Sequence, residues 1–109
     1  MSEESVVFLV MGSSGEYEDW RTWPVRAFPT EAEAEAHRTA LDAAVQVYAV
    51  RQGELDEAYF QETQTIDGEQ WERRRHRAGN VVRALDPRFS DGDSDTRYTL
   101  QTVPFGVAP

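Results

Sequence analysis

Hydrophobic positions first cluster at Val6-Val7-Phe8-Leu9-Val10-Met11, an unbroken apolar run bounded by Ser5 and Gly12. A run this short predicts a central strand covered on both faces. Thr22 to Phe28 reads as a second strand, in which Trp23 shares parity with Val25 and Ala27 and therefore belongs to the core. Pro24 lacks the N–H that a central ladder needs, so this strand sits at an edge or carries a bulge.

The period then changes from two to between three and four. Pro29-Thr30-Glu31-Ala32-Glu33 supplies a helix start, with Thr30 as N-cap, Glu33 completing a capping box and acidic groups complementing the macrodipole. Ala34, Leu41, Ala44, Val45 and Tyr48 form one stripe for burial against the sheet and leave Glu33, Arg38, Asp42 and Gln46 in water. Gly53 is the expected end of this helix. Glu54 to Gln61 predicts a short second helix around Leu55, Ala58 and Tyr59, and Asp67-Gly68-Glu69-Gln70 starts a third with Trp71, Ala78, Val82 and Leu85 on one side. Gly79-Asn80 leaves Val81 to Leu85 either helical or extended. Asp95 to Val103 has the β-branched and aromatic content of a last strand, stopped by Pro104, after a polar loop at Ser90 to Asp95. The pattern predicts a single α+β domain over residues 1–109: a small, mainly antiparallel sheet of about three strands, with the first strand central, packed against a long helix and flanked by shorter helices.

Charge narrows the functional classes. The chain carries 20 acidic and 11 basic residues, a net charge of −9, and every basic residue is Arg. Residues 1–70 hold 15 acidic and 4 basic groups (4 − 15 = −11), whereas 71–85 hold one Glu and five Arg (5 − 1 = +4). A field of that sign repels nucleic acid and favours a basic partner. With no cysteine, disulfides, thiolate catalysis and Cys-ligated metals are excluded. No basic leader and no run of about 20 apolar residues is present, so the cytoplasm is the expected location and no membrane contact is expected.

The connection from Gly12 to Val25 crowds two glycines, three carboxylates and three aromatics between two strands. Gly12 and Gly15 permit positive φ and turn backbone N–H groups outward. Glu16, Glu18 and Asp19 would repel a phosphate there, which leaves two readings. In one, Glu16 or Asp19 accepts those N–H groups and fixes the loop. In the other, Glu16, Tyr17, Glu18, Asp19, Trp20 and Arg21 form a surface for a partner, since aromatic side chains bring contact area at low entropic cost.

The remaining polar groups form weaker patterns. Asp91, Asp93 and Asp95 have the spacing that begins a calcium loop, but Thr96 and Thr102 stand where Gly and a bidentate Glu are needed, so an EF-hand is excluded and only a looser cation site stays open. Glu16, Asp19 and His37 can be drawn together as an acid/base set, although His37 lies on the apolar side of its helix, where a hydrogen-bonded structural histidine is expected. His76 is expected in solvent. Arg73, Arg74, Arg75 and Arg77 form the one basic patch, fitted either to intramolecular pairing with the acidic majority or to docking of an acidic partner or of a second copy's acidic face. Nucleic-acid binding ranks last.

The stretch Val10 to Phe28 (Val-Met-Gly-x-x-Gly-Glu-Tyr-x-Asp-x-x-x-Trp-Pro-Val-x-Ala-Phe), Leu85 to Phe89 (Leu-Asp-Pro-x-Phe) and Asp95 to Pro104 (Asp-Thr-Arg-Tyr-x-Leu-x-x-Val-Pro) resemble a family of small uncharacterised bacteriophage and prophage proteins. The resemblance covers about half the chain and implies a phage or prophage origin, with no activity or catalytic residue attached. The expected function is a non-enzymatic accessory protein without cofactor or metal that binds a host or phage protein with a basic surface, in one form as an acidic inhibitor of a host factor. The alternatives are a small metal-assisted enzyme using Glu16, Asp19 and a histidine, and a self-associating structural component.

Overall fold

A computed structural model describes residues 6–90 and 95–104, without the side chain of Tyr17. The fold is α+β, in the order β1 (Val6–Ser14), a 3-10 turn (Tyr17–Asp19), β2 (Arg21–Phe28), α1 (Glu31–Phe60), α2 (Gly68–Ala78), α3 (Asn80–Arg83) and β3 (Arg97–Pro104). The sheet is antiparallel in the order β2-β1-β3, so β1 is central as its apolar content predicts.

Pro24 has the anticipated consequence. It lies on an edge strand, and the ladder shifts beside it, with Val10 opposite Arg26 and Met11 opposite Pro24, so that Val25 is an extra residue. One extra residue reverses the alternation beyond it. Ala27, expected inside with Trp23, is therefore exposed, and Phe28 packs on the core in its place. The two faces of the sheet are not equally covered, contrary to the expectation from the apolar run of β1. Val10, Phe8, Phe28, Leu100 and Tyr98 pack with α1 on one face, whereas Val7, Leu9 and Met11 are half-buried on the other and join no core cluster.

Thr30 caps α1 by accepting the Glu33 N–H at 3.3 Å. Its buried residues Ala34, Leu41, Ala44 and Tyr48 match the expected stripe, and Tyr48 meets Phe89 edge-on at 5.1 Å. Glu33 and Gln46 are exposed, while Arg38 is half-buried and bonds Glu35 and Asp42 one turn to either side. That Arg38 hydrogen bond holds the Glu35 carboxyl below its ordinary range.

Gly53 does not end the helix. The inward stripe continues through Leu55 and Tyr59 onto α2, so the segment expected as a separate helix is the second half of α1. Packing outweighs the cost of about 0.5–1 kcal/mol that glycine brings to a helix interior. A Cβ at Gly53 meets nothing within 4 Å. Gly53→Ala is thus expected to stabilise the fold by about 0.5–1 kcal/mol, seen as a raised urea midpoint with an unchanged slope.

The helix α2 starts with a full capping box, Asp67 accepting from the Gln70 N–H at 2.7 Å and Gln70 accepting from the Asp67 N–H at 3.2 Å. At Gly79 the chain turns into α3, which settles Val81 to Arg83 as helical. The far half of α1 and α2 form an arm closed by a second aromatic group. Trp71 stacks on Tyr59 at 5.3 Å, donates its indole N–H to Asp56 at 2.8 Å and lies under the Arg75 guanidinium at 4.4 Å. The radius of gyration, 17.9 Å, exceeds the roughly 13 Å of a compact chain this long. No helix of the described residues is long and apolar enough to cross a membrane.

Candidate functional site

The most polar point of the core is Asp86, which is fully buried. Its Oδ2 accepts the Trp23 indole N–H at 2.9 Å and the Tyr98 hydroxyl at 2.7 Å, and its Oδ1 accepts the Arg88 N–H at 3.0 Å. The Asp86 carboxylate is thus the common acceptor for three donors, from β2, from β3 and from its own segment. Trp23 and Tyr98 flank Gly12 from the two edge strands, one opposite it in each ladder. The sequence pattern places Gly12 in a turn that permits positive φ. It lies instead inside β1, where a Cβ would stand 2.4 Å from the Trp23 ring. Its missing side chain is the space the indole crosses to reach Asp86. Burial first, then the Asp86 hydrogen bond and charge, raise the Tyr98 phenol above its ordinary value. This cluster joins both sheet edges to the segment after α3, and sequence reasoning missed it because Asp86 sits among loop-forming residues.

The same end of the sheet carries the decorated connection. Gly15 has φ 93°, and a Cβ there would stand 2.2 Å from the Asp19 carbonyl oxygen, so both the conformation and the space require glycine. Asp19 N–H donates to the Glu16 carbonyl at 3.0 Å and closes the 3-10 turn. The expected acceptors for the glycine N–H groups were Glu16 and Asp19. The Gly15 N–H goes to the Asp95 carboxylate at 3.3 Å, so the loop is tied to the start of β3. Glu16, Glu18 and Asp19 are thereby left exposed, and Trp20 is 60 % exposed. Arg21 lies over the buried Trp23 ring at 5.3 Å. A polar cleft of about 290 Å³ opens beside the turn, lined by Ser13, Ser14, Glu16, Trp20, Asp95 and Arg97. Of the sequence-predicted surface, the structure brings together Glu16, Glu18, Asp19, Trp20 and Arg21; the Tyr17 side chain lies outside the described residues.

The acid/base set is not assembled. His37 donates its Nε2–H to the Leu85 carbonyl, 3.0 Å away, and packs on Phe28, so it is the structural histidine its position suggests. Phe28 and the 3-10 turn stand at opposite ends of β2, seven residues or about 23 Å apart. Asp95 is committed to Gly15, and Asp91 and Asp93 lie outside the described residues. Among the described residues, no three His, Asp or Glu side chains come together as a metal site.

The basic patch divides in the structure. Arg75 folds inward over Trp71, while Arg73, Arg74 and Arg77 are exposed. Among the described residues none of these three side chains makes an ion pair with the acidic majority. Arg74 and Arg77 instead face Arg51 of α1 across a groove of about 410 Å³, floored by Leu55, Ala58 and Ala78 and holding one acid, Glu54.

No protein-family model, curated protein or solved structure matches the chain.

Proposed function

We propose that the protein is a non-enzymatic binding module that docks a partner with a basic surface through Glu16, Glu18, Asp19, Trp20 and Arg21. The resemblance at both ends of the chain supports reading it as a phage or prophage accessory protein, with the cytoplasm of the host bacterial cell as its place of action. The carrying observation is Trp20, 60 % exposed on a turn whose backbone is fixed by the Gly15 conformation and by the Asp95 bond. An exposed indole on a rigid support loses little entropy when it is covered, and the three carboxylates beside it select cationic surfaces. An acidic inhibitor of a nucleic-acid-handling factor would use the same surface.

Affinity capture from lysate with the wild type, Trp20→Ser and Glu16→Gln/Glu18→Gln/Asp19→Asn tests this reading. A cationic protein retained by the wild type is expected to be lost with either variant, and with the wild type at about 1 M salt, where charge is screened within about 3 Å. Retention unchanged by both variants and by salt would contradict it.

A further inference from the structure

The arm carries an uncovered surface on the opposite side of the molecule's charge balance, and it stands independently of the turn's role. Val47 and Val50 are 41 % and 63 % exposed on α1, continuous with exposed Ala36, Ala40 and Ala43 at alternating spacings of four and three. That spacing puts all five on one face, the seam of a two-helix contact. A groove of about 570 Å³ lies along Ala43, Val47, Val50 and Arg51, and through Arg51 and Glu54 it runs into the cationic groove with α2. The surface therefore offers an apolar seam flanked by Arg51, Arg74 and Arg77, none of which has an ion-pair partner among the described residues.

We infer that the occupant is a second copy of this chain, with the two α1 helices antiparallel about a two-fold axis between Ala40 and Ala43. Charge decides for the second copy and for its direction. The first turn of α1 is itself an exposed acidic and alanine-rich helix, with Glu31 and Glu33 beside Ala32 and Ala36. A parallel pair would stack those acids on each other and Arg51 on its own copy. The antiparallel pair sets Ala40 against the partner's Ala43 and Ala36 against the partner's Val47. It brings Glu33 beside the partner's Arg51, and Arg74 and Arg77 stand next to the same contact. Small residues at the centre let the helices approach closely, and the symmetry repeats each contact and closes the assembly at two. The 30-residue α1 is about 45 Å long, which gives room for this overlap while the two sheets point away from each other.

Sedimentation velocity at rising protein concentration tests the inference, with circular dichroism to confirm that each variant is folded. The wild type is expected to sediment at twice the 12.4 kDa of one chain. Val47→Glu/Val50→Glu is expected to be monomeric. Arg51→Glu alone is expected to weaken the dimer at least tenfold, and Glu33→Arg/Arg51→Glu to restore it. Because the chain has no cysteine, an equimolar mixture of Ala40→Cys and Ala43→Cys proteins is expected to cross-link across the axis in preference to either protein alone. A wild type that stays at 12.4 kDa at every concentration overturns the inference. So does a dimer that survives the Val47/Val50 variant or gains nothing from the double charge reversal.

Discussion

Replacing Asp86 with alanine is expected to cost the fold about 3–5 kcal/mol, because it leaves the Trp23 indole N–H and the Tyr98 hydroxyl buried without an acceptor, at roughly 1–3 kcal/mol each, and removes the Arg88 N–H bond as well. Against a total stability of about 5–15 kcal/mol for a chain of this kind, the loss is large. Urea unfolding followed by tryptophan fluorescence measures it. Trp23→Phe and Tyr98→Phe should each cost less than Asp86→Ala, since each removes one donor with its bond and leaves the carboxylate its other partners. The alkaline limb of stability carries the same signature. A phenol whose folded-state value is raised stabilises the fold fully below its ordinary value of 10.0, and that contribution is lost as pH rises beyond it. Stability is therefore expected to fall above about pH 10, and Tyr98→Phe should remove that part of the fall.

Gly12→Ala is the second large effect. The new Cβ would stand 2.4 Å from Cε2 and 2.6 Å from Cζ2 of Trp23, and the indole cannot retreat without releasing Asp86. Overpacking of a well-filled core costs about 1–3 kcal/mol, and here the lost hydrogen bond adds to it. The contrast with Gly53→Ala is the check. The same substitution is destabilising at Gly12 and stabilising at Gly53, where the space around the position is open. Thermal unfolding of the two single variants beside the wild type reads both signs in one series.

The sequence carries the parts of this fold that depend on neighbours along the chain. The central strand, the edge position of Pro24, the Thr30 cap and the inward stripe of α1 are all local patterns. The departures come from contacts between segments distant in sequence. Gly53 reads as a stop signal, yet Leu55 and Tyr59 extend the stripe across it and α2 supplies the surface that makes continuation favourable. Ala27 has the parity of the core until the extra residue at Val25 reverses it. The role of Asp86 has no local signal, because the two side chains it holds lie 63 positions before it and 12 after it. The candidate surface divides the same way. Glycines, acids and aromatics mark the turn at Gly15 to Arg21, but the carboxylate that ties it, Asp95, is 80 residues away. The arginine run is visible as a basic patch, while the groove it forms needs Arg51 from another helix.

The molecule joins a buried anchor, a displayed turn and a helical arm, and the three tryptophans report on one each. Trp23 donates its indole N–H to buried Asp86, Trp71 donates to half-buried Asp56, and Trp20 stands in solvent. Amide-type hydrogen exchange of the three indole N–H groups, followed by two-dimensional nitrogen–proton spectra and assigned by single Trp→Phe variants, tests the central claim that Asp86 holds the sheet end rigid beneath an exposed Trp20. The predicted order is slow exchange at Trp23, limited by opening of the whole fold, intermediate exchange at Trp71 and free exchange at Trp20. A Trp23 indole that exchanges as fast as that of Trp20 would contradict the account.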